Sequence, residues 1–482
     1  MSQRSTAPAK TEQASKPVRL FARREKIYSR QVKGRYRRLK WLVMALTLAI
    51  YYLAPLIRWD RGPNAPGQAI LIDLPARRAY WFFIEIWPQE VYYLTAILIF
   101  AAIALFFVTS LLGRVWCGYL CPQTVWTDLF VAVENLVQGD RVARQRLDKK
   151  PICFEKIWKK TLTHMLWLLI GLATGGAFVF YFNDAPMLWA DILQGDVSPT
   201  VMGFVLSLTF STYLMAGFSR EQVCTYMCPY ARFQSAMFDK DTLIIGYDPK
   251  RGEPRGKHKA GASWEGRGHC IDCTACVQVC PMGIDIRNGL QMDCIACGLC
   301  VDACNDIMDK VGLPRGLIRY DTENRIDHDV KEKAPWRIII RPRTVYYILT
   351  LAFVAGLVVY GQATRKPFEL HALHSRNPLM VRLSEGDIRN GYEIKILNKT
   401  HEDKRYSLRV ENLENAVLEV KGAGHMTPDN LFVAADQVAA FNLFVTARPQ
   451  VQDSQKILFI LRDNANGSID TYTSMFISGD KK

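Results

Sequence analysis

Histidine is scarce in this chain and badly placed for one common kind of membrane redox chemistry. There are 8 histidines in 482 residues, and only His164 falls inside an apolar run, so no histidine pair is available to ligate a b-type haem. His164 alone is expected to be a packed or hydrogen-bonded side chain. No Walker motif occurs, no dinucleotide-type glycine fingerprint follows a strand, and no flavin-binding segment is evident. Those absences exclude chemistry driven by a bound nucleotide or nicotinamide. Cysteine is missing after residue 304, so the C-terminal part can hold no internal disulfide. No cleavable signal peptide is expected, because about forty polar, basic residues precede the first apolar run.

Five such runs are present: Trp41–Ile57, Val91–Leu112, Leu162–Phe182, Thr200–Phe218 and Thr344–Tyr360. Each is close to the roughly 20 residues a helix needs to cross the hydrocarbon core. Val91–Leu112 has no charge at all, and Arg, Trp and Tyr flank the shorter runs as interfacial anchors. Basic residues crowd the first forty positions and the segment from Arg141 to Lys160, whereas Asn183–Pro199 has no Lys or Arg. The positive-inside rule then predicts five crossings, a cytoplasmic N-terminus and an outside C-terminal tail. Arg58, Arg61, Arg77 and Arg78 in the loop 58–90 weaken that contrast without reversing it. The net charge of +15 reflects this bias and attraction to anionic membrane lipid, and not nucleic-acid binding.

With five crossings, all 13 cysteines fall on the cytoplasmic side, where thiols stay reduced and available to metals. Eight of them form two copies of one pattern. The first is Cys270-x2-Cys273-x2-Cys276-x3-Cys280-Pro281, and the second is Cys294-x2-Cys297-x2-Cys300-x3-Cys304. This is the ligand run of a bacterial two-cluster ferredoxin. Three cysteines wrap one face of an iron–sulfur cube, and the fourth reaches the neighbouring cube. Cys270, Cys273, Cys276 and Cys304 are therefore expected to hold one [4Fe–4S] cluster, and Cys294, Cys297, Cys300 and Cys280 the other. Zinc knuckles use paired rather than triple spacings, and a disulfide framework does not need this pattern. Asn305 stands where the second copy would usually have proline. His269, beside Cys270, is placed either to tune that cluster by hydrogen bonding or to face solvent. Electrons must enter from a donor that the sequence does not name, a protein or a quinol.

The expected organisation is a multi-domain membrane protein. Residues 1–38 form a basic cytoplasmic tail that becomes a membrane-surface helix near the first span. Residues 39–240 form a four-helix membrane domain, and 241–335 a cytoplasmic two-cluster ferredoxin-like insertion. Its flanks, from Asp248 and over Arg319–Lys333, read as loops. A fifth transmembrane helix over 343–361 leads to an all-β, immunoglobulin-like periplasmic domain at 363–482, with about seven short alternating strands such as Tyr392–Leu397 and Lys456–Leu461. His371 and His374 lie just outside the last span with Met380 nearby. Three apart, they could share a helix face and bind copper, but an ordinary surface pair is the preferred account.

The membrane part carries a second repeat. Trp116-Cys117-Gly-Tyr-Leu-Cys121-Pro122-Gln123 follows the second run, and Val223-Cys224-Thr-Tyr-Met-Cys228-Pro229-Tyr230 follows the fourth. Both runs cross in the same direction, so both elements should reach the cytoplasmic face at similar depth. Proline after cysteine suits the first turn of a helix, making Cys121 and Cys228 N-caps with lowered thiol pKa values. Four sulfurs could meet there on a pseudo-twofold axis. Soft thiolates suit Cu(I), a redox dithiol or a further cluster; packing of small residues at a helix junction is the plain alternative. Cys153 has no assigned role.

Taken together, these elements resemble the cytochrome oxidase accessory family CcoG, also called FixG or RdxA. The resemblance spans nearly the whole chain: the basic N-terminus, Trp116–Gln123, Met227–Gln234, the paired ferredoxin run, the last helix and the Ig-like tail. It implies a bacterial inner-membrane oxidoreductase needed to assemble cbb3-type haem–copper oxidase, reducing Cu(II) to Cu(I) for delivery, with Cys117, Cys121, Cys224 and Cys228 as copper or redox thiols. Its implied partners are oxidase assembly factors or copper chaperones and an unidentified electron donor, with self-association also open. Two other classes stay open, the first sharing the Cys-x3-Cys-Pro elements and clusters but expected to lack an outside β domain. One is a quinol dehydrogenase subunit of NapH type, and the other is a non-catalytic scaffold whose clusters sense redox state.

Overall fold

The computed structural model describes residues 26–62, 65–258, 263–328, 341–421, 426–448 and 453–479. The basic tail over 1–25 and the end of the stretch Arg319–Lys333 lie outside the described residues. Among the described residues, five helices are long and apolar enough to cross a membrane: Arg35–Leu56, Pro88–Leu112, Phe154–Val179, Pro199–Ser219 and Pro342–Ala363, of 21 to 26 residues each. At about 1.5 Å per residue these reach over 30 Å, the thickness of a hydrocarbon core. The chain divides into two compact units, each assembled from three stretches.

The first unit holds residues 1–43, 112–167 and 214–331. The start of α1 (Arg35–Leu53) belongs to it, followed by α3 (Pro122–Gln138), α4 (Arg141–Lys149) and α8 (Pro229–Met237); α2 is Val91–Leu112. The ferredoxin-like insertion contains α10 (Ala275–Val279) and α11 (Leu299–Lys310). An antiparallel ribbon flanks it, pairing β4 (Leu243–Tyr247) with β5 (Ile318–Thr322). Part of the stretch read as a loop from Arg319 is therefore strand, followed by a helical turn at Glu323–His328. Its polar residues misled because a ribbon edge can carry them: Arg319 bonds Asp248 and Asp321 while Ile318 is buried.

Residues 26–34 do not form the expected membrane-surface helix. They run without regular structure until α1 begins at Arg35, and partners distant in sequence explain why. Arg30 N donates to Gln278 O at 2.8 Å, Gln31 N to Asp140 at 2.9 Å, and Tyr28 Oη to Asp148 at 2.7 Å. A helix would have consumed those backbone groups internally; here they form a strap across the insertion and α4.

The second unit holds residues 44–111, 168–213 and 332–482. Residues 70–86 form a three-stranded sheet that sequence reading missed, β1 (Ile70–Asp73), β2 (Arg78–Trp81) and β3 (Ile84–Ile86). After the last helix the described residues form nine strands in two antiparallel sheets. One has the order β10 (Val417–Lys421), β12 (Gln437–Ala447), β8 (Ile388–Asn398), β6 (Phe368–His374), with β7 (Val381–Arg382) also on β8. The other has the order β11 (Leu431–Val433), β9 (Lys404–Glu411), β13 (Ser454–Asp463), β14 (Ile469–Ile477). Alternate residues point inward, so Tyr392, Ile394, Ile396, Leu443, Val445, Ile457, Phe459 and Leu461 fill the space between the sheets. It is an Ig-like sandwich without a disulfide. His371 and His374 lie on β6 and not on a helix. A spacing of three on a strand puts side chains on opposite faces, and His374 is taken up by Asn390 at 2.7 Å.

A candidate iron–sulfur and thiol centre

The two copies of the ferredoxin pattern fold alike. Positive φ angles recur at matching positions, at Asp272 and Thr274 in the first copy and at Ala296 and Gly298 in the second. Each pair bends the chain back so that successive cysteines face one side. At Gly298 the glycine is required twice, by φ +76° and by the Tyr36 ring, which lies 2.7 Å from where a Cβ would stand. The result is two internal cavities. One is lined by Cys270, Cys273, Cys276 and Cys304, the other by Cys280, Cys294, Cys297 and Cys300 with Cys276 at its edge. Each set takes three cysteines from one copy and the fourth from the other.

The chemistry of this donor set fits four-iron clusters. Burial pushes the Cys276 thiol up to about 11 and the Cys280 and Cys304 thiols to about 12. Iron coordination would hold such sulfurs as thiolates against that cost. Backbone N–H groups of Met282 and Ile284 point at Cys280, and that of Ala296 at Cys294, the kind of contact that sets cluster potential. Asn305 is explained by helix length. Cys304 lies inside α11, which continues to Lys310, whereas α10 stops at Val279 before Pro281. A proline at 305 would break α11, and Asn305 instead accepts a bond from Gly316 N at 3.0 Å. His269 Nδ1 takes a bond from Arg251 Nε at 2.8 Å, and its ring stands edge-on to Trp264.

The two Cys-x3-Cys-Pro elements share one backbone build. Trp116–Leu120 and Val223–Met227 are π-helical turns, each closed by the N–H of the second cysteine, Cys121 to Trp116 O at 2.9 Å and Cys228 to Val223 O at 2.8 Å. Such turns concentrate at functional positions. Cys121 caps α3 and Cys228 caps α8, with Pro122 and Pro229 opening the helices. Neither sulfur takes the capping hydrogen bond, so the interaction expected to favour thiolate there is not made. Burial, seconded by Cys121, raises the Cys117 thiol to about 11. Burial together with Cys121, Cys117 and Cys228 raises Cys224 to about 12. The four sulfurs thus feel one another, although no three of them lie within 4.8 Å. Cys117 Sγ donates to Gln234 Oε1 at 3.3 Å, tying the first element to the helix that follows the second.

The first element also packs on the cluster loop. A Cβ on Gly118 would stand 2.7 Å from Ile295 O and 3.1 Å from Cys297 Cα. Tyr119 Oη donates to Cys297 O at 3.0 Å. Cys117 packs in one apolar group with Ile295, Cys297, Leu299 and Cys300. Beside it lies a cavity of about 870 Å³, with Lys33, Trp41, Asn135, Cys224, Met282 and Leu299 among its walls. His164 stacks on Phe218 and stands edge-on to Trp167, a packed aromatic as expected. Cys153, half-buried, directly precedes α5 (Phe154–Val179).

Residues 219–323 match the model of a 4Fe-4S dicluster domain, 94–136 that of a 4Fe-4S binding domain, and 358–479 that of the IG-like fold at the C-terminus of FixG. The chain is 47% identical over 459 residues to nitrogen fixation protein FixG of Rhizobium meliloti, covering 89% of this chain and 87% of that one. It is 46% identical over 437 residues to protein RdxA of Cereibacter sphaeroides, covering 90% and 92%. Ferredoxin-type protein NapH of Haemophilus influenzae is 24% identical over 222 residues, covering 43% of this chain and 65% of NapH. A crystal structure of a FixG-related protein from Vibrio parahaemolyticus aligns with 24% of this chain and 98% of its own, at 24% identity and a TM-score of 0.21. With apolar helices, paired four-iron ligand sets and an Ig-like tail in one order, this membrane-associated iron–sulfur electron-transfer protein belongs to the FixG/RdxA family.

Proposed function

We propose that the chain reduces Cu(II) to Cu(I) at the Cys117, Cys121, Cys224 and Cys228 thiols, in support of cbb3-type oxidase assembly. The observation that carries this function is the packing of Gly118 and Tyr119 against the loop of Cys297, which leaves Cys117 in the same apolar group as two cluster ligands. The clusters would supply single electrons, one for each Cu(II) converted to Cu(I), and a protein or quinol donor would replace them. Thiolate sulfur stabilises Cu(I) over Cu(II), so binding favours the reduced product. Because the buried Cys117 and Cys224 are protonated when free, copper capture releases their protons. In this function the thiols and clusters face the bacterial cytoplasm and the sandwich faces the periplasm, where it would meet oxidase assembly factors or copper chaperones.

The test is anaerobic purification followed by Cu(II) addition, with Cu(I) trapped by a chromogenic chelator. Cys117→Ser and Cys224→Ser should each slow reduction while iron and sulfide content stay unchanged. Undiminished reduction in the variant with all four changed to Ser would refute the site. The cavity beside Cys224 favours a second function, quinol oxidation of the NapH kind, since about 870 Å³ is ample for a ring-sized ligand. Quinol-dependent bleaching of the clusters in membranes, without any copper requirement, would select it.

A further inference from the structure

We infer a divalent-metal site in the second unit, made by Glu85, His401 and Asp436. One ligand atom from each lies within 4.8 Å of the other two, the only such trio among the described residues. Glu85 comes from β3, His401 from the turn between β8 and β9, and Asp436 from the residue before β12. Glu85 is 6% exposed and Asp436 4%, while the His401 side chain is half-exposed. The site is thus closed on its carboxylate side and reachable through the imidazole.

One observation separates it from an ordinary ion-pair network, and a second bears on how its ligands are held. The first is that Asp436 Oδ1 is buried with no hydrogen-bond partner, a costly condition for a carboxylate oxygen. Its other oxygen meets His401 Nδ1 at 2.6 Å. The second is the set of groups around the trio. Arg78 donates to Glu85 Oε1 at 3.1 Å and to the Asp436 carbonyl at 2.7 Å, and its guanidinium lies 3.7 Å from the Trp87 ring centroid. Arg365 donates to the Glu85 carbonyl at 3.0 Å. These contacts fix the carboxylates as outer-shell groups do around metal ligands.

One imidazole nitrogen and two carboxylate oxygens suit a borderline divalent ion, Zn(II) or Cu(II), and suit Cu(I) poorly. Ligands around zinc at about 2.0–2.1 Å stand somewhat over 3 Å apart. A small outward swing of the exposed imidazole therefore admits the ion in place of the hydrogen bond between His401 and Asp436. Three protein ligands keep one position open for water or an incoming donor. The site is independent of the thiol chemistry proposed above.

The experiment uses the purified full-length chain with Cys117, Cys121, Cys224 and Cys228 changed to Ser and the clusters retained, dialysed against zinc alone. One zinc per chain should bind beyond the iron, and His401→Ala, at a half-exposed position that tolerates truncation, should weaken it about tenfold or more. Asp436→Asn should do the same, with its sandwich checked by circular dichroism. Equal zinc binding in the parent and in His401→Ala, or no saturable zinc in the parent, overturns the inference.

Discussion

Glu134 shows what a single side chain carries in the first unit. It is 3% exposed and lies between two guanidinium groups, Arg144 at 2.7 Å and Arg220 at 2.6 Å. Burial pushes its carboxyl up, but Arg220 and Arg144 outweigh burial and hold it below the usual carboxylate range. Glu134→Gln leaves two buried cations facing a neutral amide, which should cost about 3–5 kcal/mol; a detergent-solubilised variant melting with the parent would contradict that. Gly118 is the second sensitive residue. Gly118→Ala forces a methyl group against Ile295 O, so the loop of Cys297 must shift. The expected result is reduced iron content or an altered reduced-cluster EPR signal, with the protein still in the membrane. A variant with the parental iron content and spectrum would show that the two loops are not coupled.

Among the elements, the strap over residues 26–34 is the one that pH should release. Burial raises the Asp148 pKa, yet hydrogen bonds from Lys160, Lys26 and Tyr28 prevail and hold it well below the usual carboxylate range. Because the folded value is depressed, the stabilisation is complete above the unfolded value of about 3.9 and is lost as pH falls further. Hydrogen exchange in residues 26–33 should therefore accelerate below about pH 4, and Asp148→Asn should produce it at neutral pH. Protection unchanged at pH 3 would place the hold elsewhere. This strap also marks where sequence reading stopped. The four-iron dicluster domain and the five long helices were legible because their signals are local, a cysteine spacing in one case and a hydrophobic length in the other. The strap depends on Gln278, Asp140 and Asp148, more than a hundred residues away. Likewise His371 and His374 were read with a helical period, and strand β6 turned them apart. Glu85, His401 and Asp436 share no pattern along the chain, since only the fold brings them together.

On the scale of the molecule, the two units separate the redox chemistry from the Ig-like sandwich. Within the second unit, Glu90 at the head of α2 receives Arg365 through both carboxylate oxygens and the buried Lys399 at 2.7 Å. Glu90 thereby ties Lys399, at the end of β8, and Arg365, just before β6, to the head of α2. Glu90→Gln leaves Arg365 without its bidentate carboxylate and Lys399 with Glu369 alone, and should make the sandwich protease-sensitive while iron content stays at the parental level. Loss of the clusters in that variant would mean that the units are not energetically separate.

One contact in the first unit sets an order of events. The opening turn of α1 has its amides at Tyr36 and Arg37 received by Asp302, a carboxylate 265 residues later in the chain. At about 5–20 residues per second, the ribosome needs roughly 13–50 s to supply that acceptor after Arg37 has been made. During that interval the first helix is exposed to proteases and chaperones at its leading end. Those two amides gain their acceptor only when the iron-binding segment has been translated, so a cell short of iron should accumulate chains whose opening turn of α1 lacks this carboxylate.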